Sequence, residues 1–327
     1  MIVPQFWAES QVQDRVKGRL RTVRRWGWSD ESPEAAQAMA DARAREAFER
    51  VSSGQRLPWR EPKVAYNGAE GVPIREEVVG RHGDALVTRN SYGARCLNTP
   101  DVLFADVDFR QEPATALTCL LVLALPVCAG VVCRAAGLSW GLTAAAAVAG
   151  LPLGYAAAVG LHRLRLLLAG GAERQTRRRV EAFVAGHPGW LLRLYRTPAG
   201  FRVLAMHRTF RPDDQEAAEL FRALDTDPVY VRMCIRQHCF RARLGPKPWR
   251  IGIAAHMKPR PGIWPVSPER MPDRARWIEG YEQAARGYAA CRFVEALGSA
   301  MTVDAKAEAV RRVHDELARA DSGLPIA

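Results

Sequence analysis

The segment Asp101–Phe109 is apolar at first and then ends in two carboxylates, Asp106 and Asp108, at alternate positions. In a strand, residues i and i+2 project from one face, so this pair can present both groups to one point, as a divalent cation such as Mg²⁺ or Mn²⁺ requires. The plainer alternative is two acids that end a strand at the surface. Further on, Trp190–His207 alternates around Thr197, Pro198 and Gly200. A turn there would bring backbone N–H groups toward an anion, with Arg196, Arg202 and His207 adding positive charge. A further acidic place, Asp225-Thr226-Asp227, follows the helix expected over Asp213–Leu224. Arg241, Arg243, Lys247 and Arg250 then surround Trp249, a combination suited to phosphate contact and base stacking with nucleic acid, or to a basic edge facing an anionic membrane. Cys234, His238 and Cys239 lack a second ligand pair at finger-like spacing, and on a strand Cys239 would point away from the other two.

The elements that must position these groups follow from periodicity and punctuation. After a basic stretch, Lys17 to Arg25, Ser32 and Pro33 open a helix that ends before Ser52, Ser53 and Gly54. The turn-rich segment from Tyr66 leads to a short strand or helix at Glu76 to Val79. Ala172 to Ala185 reads as an arginine-rich helix, and Trp190 to His207 as a β-hairpin. A strand is expected over Val229 to Arg236, and two helices over Pro272 to Leu297 and Val303 to Ala320. Nothing in that tail looks catalytic.

The chain has 327 residues, 48% of them hydrophobic, and a formal charge of +12. These values exclude disordered, collagen-like and disulfide-scaffold classes. The mean hydropathy of -0.18 blends polar ends with a nearly charge-free middle. From Ala114 to Cys133, and again from Ala135 to Leu161, no Asp, Glu, Lys or Arg occurs. Each stretch matches the roughly 20 apolar residues that cross a hydrocarbon core of about 30 Å. Arg134, Gly137, Ser139 and Trp140 mark the turn between them, and Gly141, Gly150, Gly154 and Gly160 suit close helix packing. A buried hairpin in a soluble core is the competing reading. Arg163, Arg165, Arg174, Arg177, Arg178 and Arg179 crowd the exit and favour the cytoplasmic side, which places both termini there in a bacterial-type inner or plasma membrane. The first twenty residues carry charge too early for a signal peptide, so insertion is expected to use the hairpin. A reducing cytoplasm also fits seven cysteines without a disulfide framework.

Paired acids on a strand, a hairpin with a small-residue turn and a basic residue, and a later acid together resemble the archaeo-eukaryotic primase superfamily. Asp106 and Asp108 match its Asp-hydrophobic-Asp motif. Thr197, Gly200 and Arg202 approximate the second motif, with Arg202 where the family usually has His, and Asp227 or else Asp225 matches the third acid. The resemblance implies an α+β fold with a primase/RRM-like mixed sheet and flanking helices, into which the transmembrane hairpin is inserted and to which a C-terminal helical tail is added. The expected organisation is an N-terminal basic and helical region (1–60), a primase-like domain (61–113 and 171–260), the hairpin (114–162) and the tail (261–327).

By the same resemblance, Asp106, Asp108 and Asp227 would hold Mg²⁺ or Mn²⁺ and catalyse phosphoryl or nucleotidyl transfer. Arg196, Thr197, Gly200, Arg202 and His207 would grip a nucleoside triphosphate, and Arg241, Arg243, Lys247 and Arg250 would guide nucleic acid. The alternative is a catalytically inactive, membrane-anchored binding or scaffolding protein, since a fold does not establish an activity. No Walker-type, Gly-x-Ser-x-Gly or His-Glu-x-x-His segment occurs, which argues against P-loop, serine-hydrolase and zincin chemistry.

Overall fold

Two strands, not a helix, open the described chain. Phe6–Val16 (β1) and Arg19–Ser29 (β2) pair antiparallel with Val16 opposite Arg19. The two connecting residues, Lys17 and Gly18, both have positive φ (50° and 77°), as a tight twisted hairpin turn demands. The basic stretch is therefore one arm of a hairpin. Helix α1 (Pro33–Ser52) starts at Ser32, whose side chain accepts from the Ala35 N–H. It buries Ala36, Ala40, Ala44 and Ala47, one face at three- and four-residue spacing. These small side chains let α1 lie directly on β2: a Cβ on Gly27 would sit 2.2 Å from the Ala36 carbonyl oxygen.

The computed structural model describes residues 3–58, 72–260 and 262–327. The turn-rich segment expected from Tyr66 lies, as far as Gly71, outside the described residues. Strand β3 (Glu77–His82) follows, then β4 (Ala85–Arg89), β5 (Arg95–Thr99) and β6 (Phe104–Asp108). Helices α2 (Thr115–Ala135), α3 (Trp140–Leu168) and α4 (Ala172–Gly186) come next, then the hairpin β7 (Leu191–Arg196) and β8 (Gly200–Ala205). The chain closes with α5 (Gln215–Leu224), α6 (Pro228–Gln237), β9 (Phe240–Arg243), α7 (Met271–Ala285), β10 (Arg292–Gly298) and α8 (Ala305–Ala318). The architecture is mixed α+β. Two four-stranded sheets have the orders β3-β4-β5-β9 and β10-β7-β8-β6.

Two expectations are corrected here. The strand expected over Val229 to Arg236 is helix α6. Its β-branched residues suggest a strand, but Asp227 caps it, Pro228 occupies its first turn, and the buried positions Tyr230, Met233, Cys234 and Gln237 recur at helical spacing. The helix expected over Pro272 to Leu297 stops at Ala285, and Arg292–Gly298 is strand β10, alternating in exposure and paired with β7. The tail is thus not a helical appendage: β10 is the edge strand of a sheet, and His314 on α8 is fully buried.

Contacts divide the chain into two units, 1–107 with 184–327, and 108–183. The second holds α2 and α3, both long and apolar enough to cross a membrane. Of the four glycines expected at this contact, Gly150 and Gly154 are where the helices touch, whereas a Cβ on Gly141 or Gly160 would meet nothing within 4 Å. A Cβ on Gly150 would lie 2.8 Å from the Pro126 backbone, and one on Gly154 2.5 Å from the Leu121 carbonyl oxygen. Only Thr143, Gly150, Gly154 and Ala158 of α3 are buried, and no residue of α2 is. The small-residue stripe closes the pair while leucines and valines point outward. At the turn, the Arg134 guanidinium donates to the Leu138 carbonyl at 2.6 Å and lies 4.3 Å from the Trp140 ring centre.

Candidate functional site

Strand β6 runs beside β8, and this neighbourhood brings Asp106 and Arg202 together. Arg202 Nε donates to Asp106 Oδ1 at 2.7 Å and its NH2 to Oδ2 at 3.1 Å, a two-pronged ion pair. Arg202 NH1 donates to the Arg243 carbonyl at 2.8 Å and faces His314 Nε2 at 3.2 Å. Guanidinium only donates, so Nε2 accepts and the His314 proton sits on Nδ1, where it donates to Asp315 Oδ1 at 2.8 Å. Arg202 is 2% exposed at its side chain, whereas Asp106 keeps 38%. Burial works to raise the Asp106 pKa, but the charge and hydrogen bonds of Arg202 outweigh it and hold the carboxyl below its ordinary range.

Behind this pair stands a combination that by residue type alone resembles a nucleophilic triad: Cys291, His314 and Asp315, with Cys291 Sγ 3.8 Å from His314 Nε2. Its environment excludes that chemistry. Burial pushes the Cys291 thiol up to about 12, and Cys291 and His314 are each 0% exposed, so neither thiolate nor access is provided. Burial and the neighbouring Arg202 also lower the His314 pKa and keep the ring neutral. Asp315 in turn accepts from Arg311 NH1 at 2.8 Å and Arg193 NH2 at 3.4 Å. Sequence reasoning missed Cys291, His314 and Asp315 because they lie more than 180 residues beyond β6 in a segment without a recognisable motif.

The other expected site residues do not assemble around Asp106. Asp108 is exposed at the end of β6. Asp227 caps α6, accepting from the Val229 N–H at 2.8 Å, and Asp225 is the left-handed C-cap of α5. Helix termini thus account for that acidic segment. Among the described residues, no group of three or more His, Cys, Asp or Glu side chains could hold a metal ion. A hard divalent cation needs several oxygen ligands, and both Asp106 oxygens already face Arg202, so the donor set does not fit Mg²⁺ or Mn²⁺.

The expected triphosphate cradle is also committed internally. The Thr197 N–H donates to the Gly200 carbonyl at 2.9 Å, and the Gly200 N–H to Thr197 Oγ1 at 3.1 Å. Arg196 donates to the Thr197 and Gly200 carbonyls, pinning the same turn. His207 Nδ1 accepts from the Leu191 N–H at 3.3 Å, and its ring packs 4.6 Å from Trp190. Burial lowers its pKa.

Of the basic strand, Arg241 is not a surface cation. Its NH2 contacts both oxygens of Glu76 at 2.8 and 2.6 Å, its NH1 donates to Asn98 Oδ1 at 3.1 Å, and both ion-pair partners are buried. Arg243 is half-buried, with its carbonyl taken by Arg202. Lys247, Trp249 and Arg250 remain toward the surface on the 3-10 turn Pro248–Ile251 and the residue before it, with Lys247 Nζ 5.4 Å from the Trp249 ring centre.

Comparison of the chain with protein-family models, curated proteins and solved structures finds no match.

Proposed function

We propose that the protein is an integral membrane protein whose α+β unit acts as a binding or scaffolding module and not as a nucleotidyltransferase. The observation that carries this reading is the Asp106–Arg202 ion pair: the groups that would hold metal and triphosphate neutralise each other. Isothermal titration of the detergent-solubilised full chain with ATP or GTP and Mn²⁺ tests it. No metal-dependent heat is expected; saturable metal-dependent binding lost in Asp106→Asn and Asp108→Asn would restore the enzymatic reading, with nucleic acid as its partner.

The membrane part rests on the outward faces of α2 and α3. Leu120, Leu123, Val127, Val131, Val132 and Leu153 are each at least 58% exposed. At about 1.5–3 kcal/mol for each side chain left in water, these six alone amount to on the order of 10 kcal/mol that a bilayer relieves. A soluble core hairpin would bury them. The arginines at 163–179 favour a hairpin that enters from the cytoplasmic face of an inner or plasma membrane and returns to it.

The cysteines provide the test. Cys119 and Cys128 are exposed on α2, while Cys96, Cys234, Cys239 and Cys291 are buried. In native membranes a membrane-impermeant maleimide is expected to leave Cys119 and Cys128 unlabelled until detergent or denaturant is added. Rapid labelling in intact membranes would mean that α2 faces water.

A further inference from the structure

The hairpin unit contains a cavity of about 160 Å³ at the end opposite its turn. Arg110 and Glu112 line it from the segment leading into α2, His162 and Arg165 from the last turns of α3, and Gln175 and Arg179 from α4. Ala114, Leu117 and Leu166 form its apolar side. We propose that this cavity binds the phosphate of an anionic phospholipid headgroup. The proposal rests on the membrane reading above and adds a ligand to it.

Three features of the cavity converge on that ligand. The first is charge: the lining carries three arginines and one carboxylate, and guanidinium forks match phosphate oxygens two at a time. The second is an unmet hydrogen bond. His162 Nε2 is buried and has no hydrogen-bond partner among the described residues, and a buried polar nitrogen without one calls for a ligand atom or water. The volume is several times the roughly 30 Å³ share of a liquid water, which leaves room for a phosphate.

The third is depth. Helix α3 spans 29 residues, about 43 Å at 1.5 Å per residue against a hydrocarbon core of about 30 Å. With Gly150 and Gly154 seated against Pro126 and Leu121, the surplus falls at the C-terminal turns, which places residues 162–168 at headgroup level. Leu164, Leu167 and Leu168 remain exposed there. An apolar wall beside clustered cations suits a phosphate that carries a glycerol backbone and acyl chains; a free phosphate gains nothing from Leu117 or Leu166. Basic pockets beside spanning helices on the cytoplasmic side are built for such headgroups.

The test uses the full chain in a neutral detergent and phosphatidylglycerol labelled on an acyl chain. Saturable binding is expected, displaced by unlabelled phosphatidylglycerol at least tenfold better than by phosphatidylcholine and not by millimolar inorganic phosphate. Equal displacement by phosphatidylcholine, or full displacement by inorganic phosphate, overturns the assignment without recourse to any variant. The pair Arg165→Gln and Arg179→Gln is expected to weaken binding about 25-fold, since each cation near an anionic lipid surface contributes about fivefold. Arg174→Gln with Arg178→Gln removes the same charge outside the cavity and is expected to change affinity less than twofold; equal losses would mean diffuse surface attraction and overturn the site. Alkaline carbonate extraction separates the two levels of argument. Release of the protein from membranes refutes the membrane reading itself, whereas retention without phosphatidylglycerol selectivity refutes only the headgroup site.

Discussion

Replacing Asp106 with Asn tests whether the ion pair beneath β6 is structural. The substitution keeps size and shape but removes the charge that faces a guanidinium 2% exposed to solvent. Two of the contacts of Arg202, Nε to Oδ1 and NH2 to Oδ2, depend on carboxylate oxygens, and an amide offers only one acceptor. Breaking a buried pair by removing one partner costs about 3–5 kcal/mol. Because Asp106 is 38% exposed, water partly replaces it, and the lower end, about 3 kcal/mol, is the expected loss. For a unit of this size, that corresponds to a Tm lower by about 6–12 °C.

Thermal unfolding of the detergent-solubilised chain, followed by tryptophan fluorescence, reads the shift, and a double-mutant cycle with Arg202→Met isolates the pairwise part. A coupling of about 2 kcal/mol or more is expected, at the upper end of values for groups in direct contact. An Asn variant as stable as the parent, or more stable, would refute the reasoning. It would mean that Asp106 is not needed to hold Arg202 and stands ready for other chemistry, as a metal-binding carboxylate does.

This cluster, together with His207, sets the response to pH. His314 and His207 have pKa values lowered by burial, so the unfolded chain takes up protons first, and stability is expected to fall as pH drops below about 6.5. Asp106 and Asp315 have depressed pKa values, and a second decline is expected below about pH 4; unfolding midpoints between pH 3.5 and 8 check both limbs, and His314→Asn should flatten the first. Glu76→Gln strands the buried Arg241 and is expected to cost about 3–5 kcal/mol, while Lys247→Ala and Arg250→Ala stay within about 0.5 kcal/mol in the same denaturation assay. Gly154→Leu drives a side chain into the Leu121 carbonyl and is expected to loosen the hairpin, seen as lost compact migration in SDS gels.

How much of this was legible in the sequence varied with the range of the forces involved. The α2–α3 hairpin, the start of α1 at Ser32-Pro33 and the β7–β8 turn rest on local signals, namely charge-free length, a capping residue and alternation, and all three stand where those signals put them. Helix α6 reads as a strand because Val229, Tyr230, Val231 and Ile235 favour one, while the cap and the buried spacing that decide for helix count only once a partner surface exists. Strand β10 was misread as helix for a related reason: its pairing partner β7 lies about a hundred residues earlier.

The candidate site shows the same limit more sharply. The arginine on β8 is visible in the sequence, but whether it grips a phosphate or a carboxylate depends on which side chain the neighbouring strand presents. Asp106 stands opposite, and His314 and Asp315 arrive from α8, so the fold commits these groups to an internal ion pair. Composition and spacing by themselves determined that this chain carries two helices able to span a bilayer and a basic flank beside them, because hydrophobic length and charge are local properties. What the cations and acids do was decided only by tertiary structure, since a charge has no role until the fold sets its distance to the opposite charge and to water.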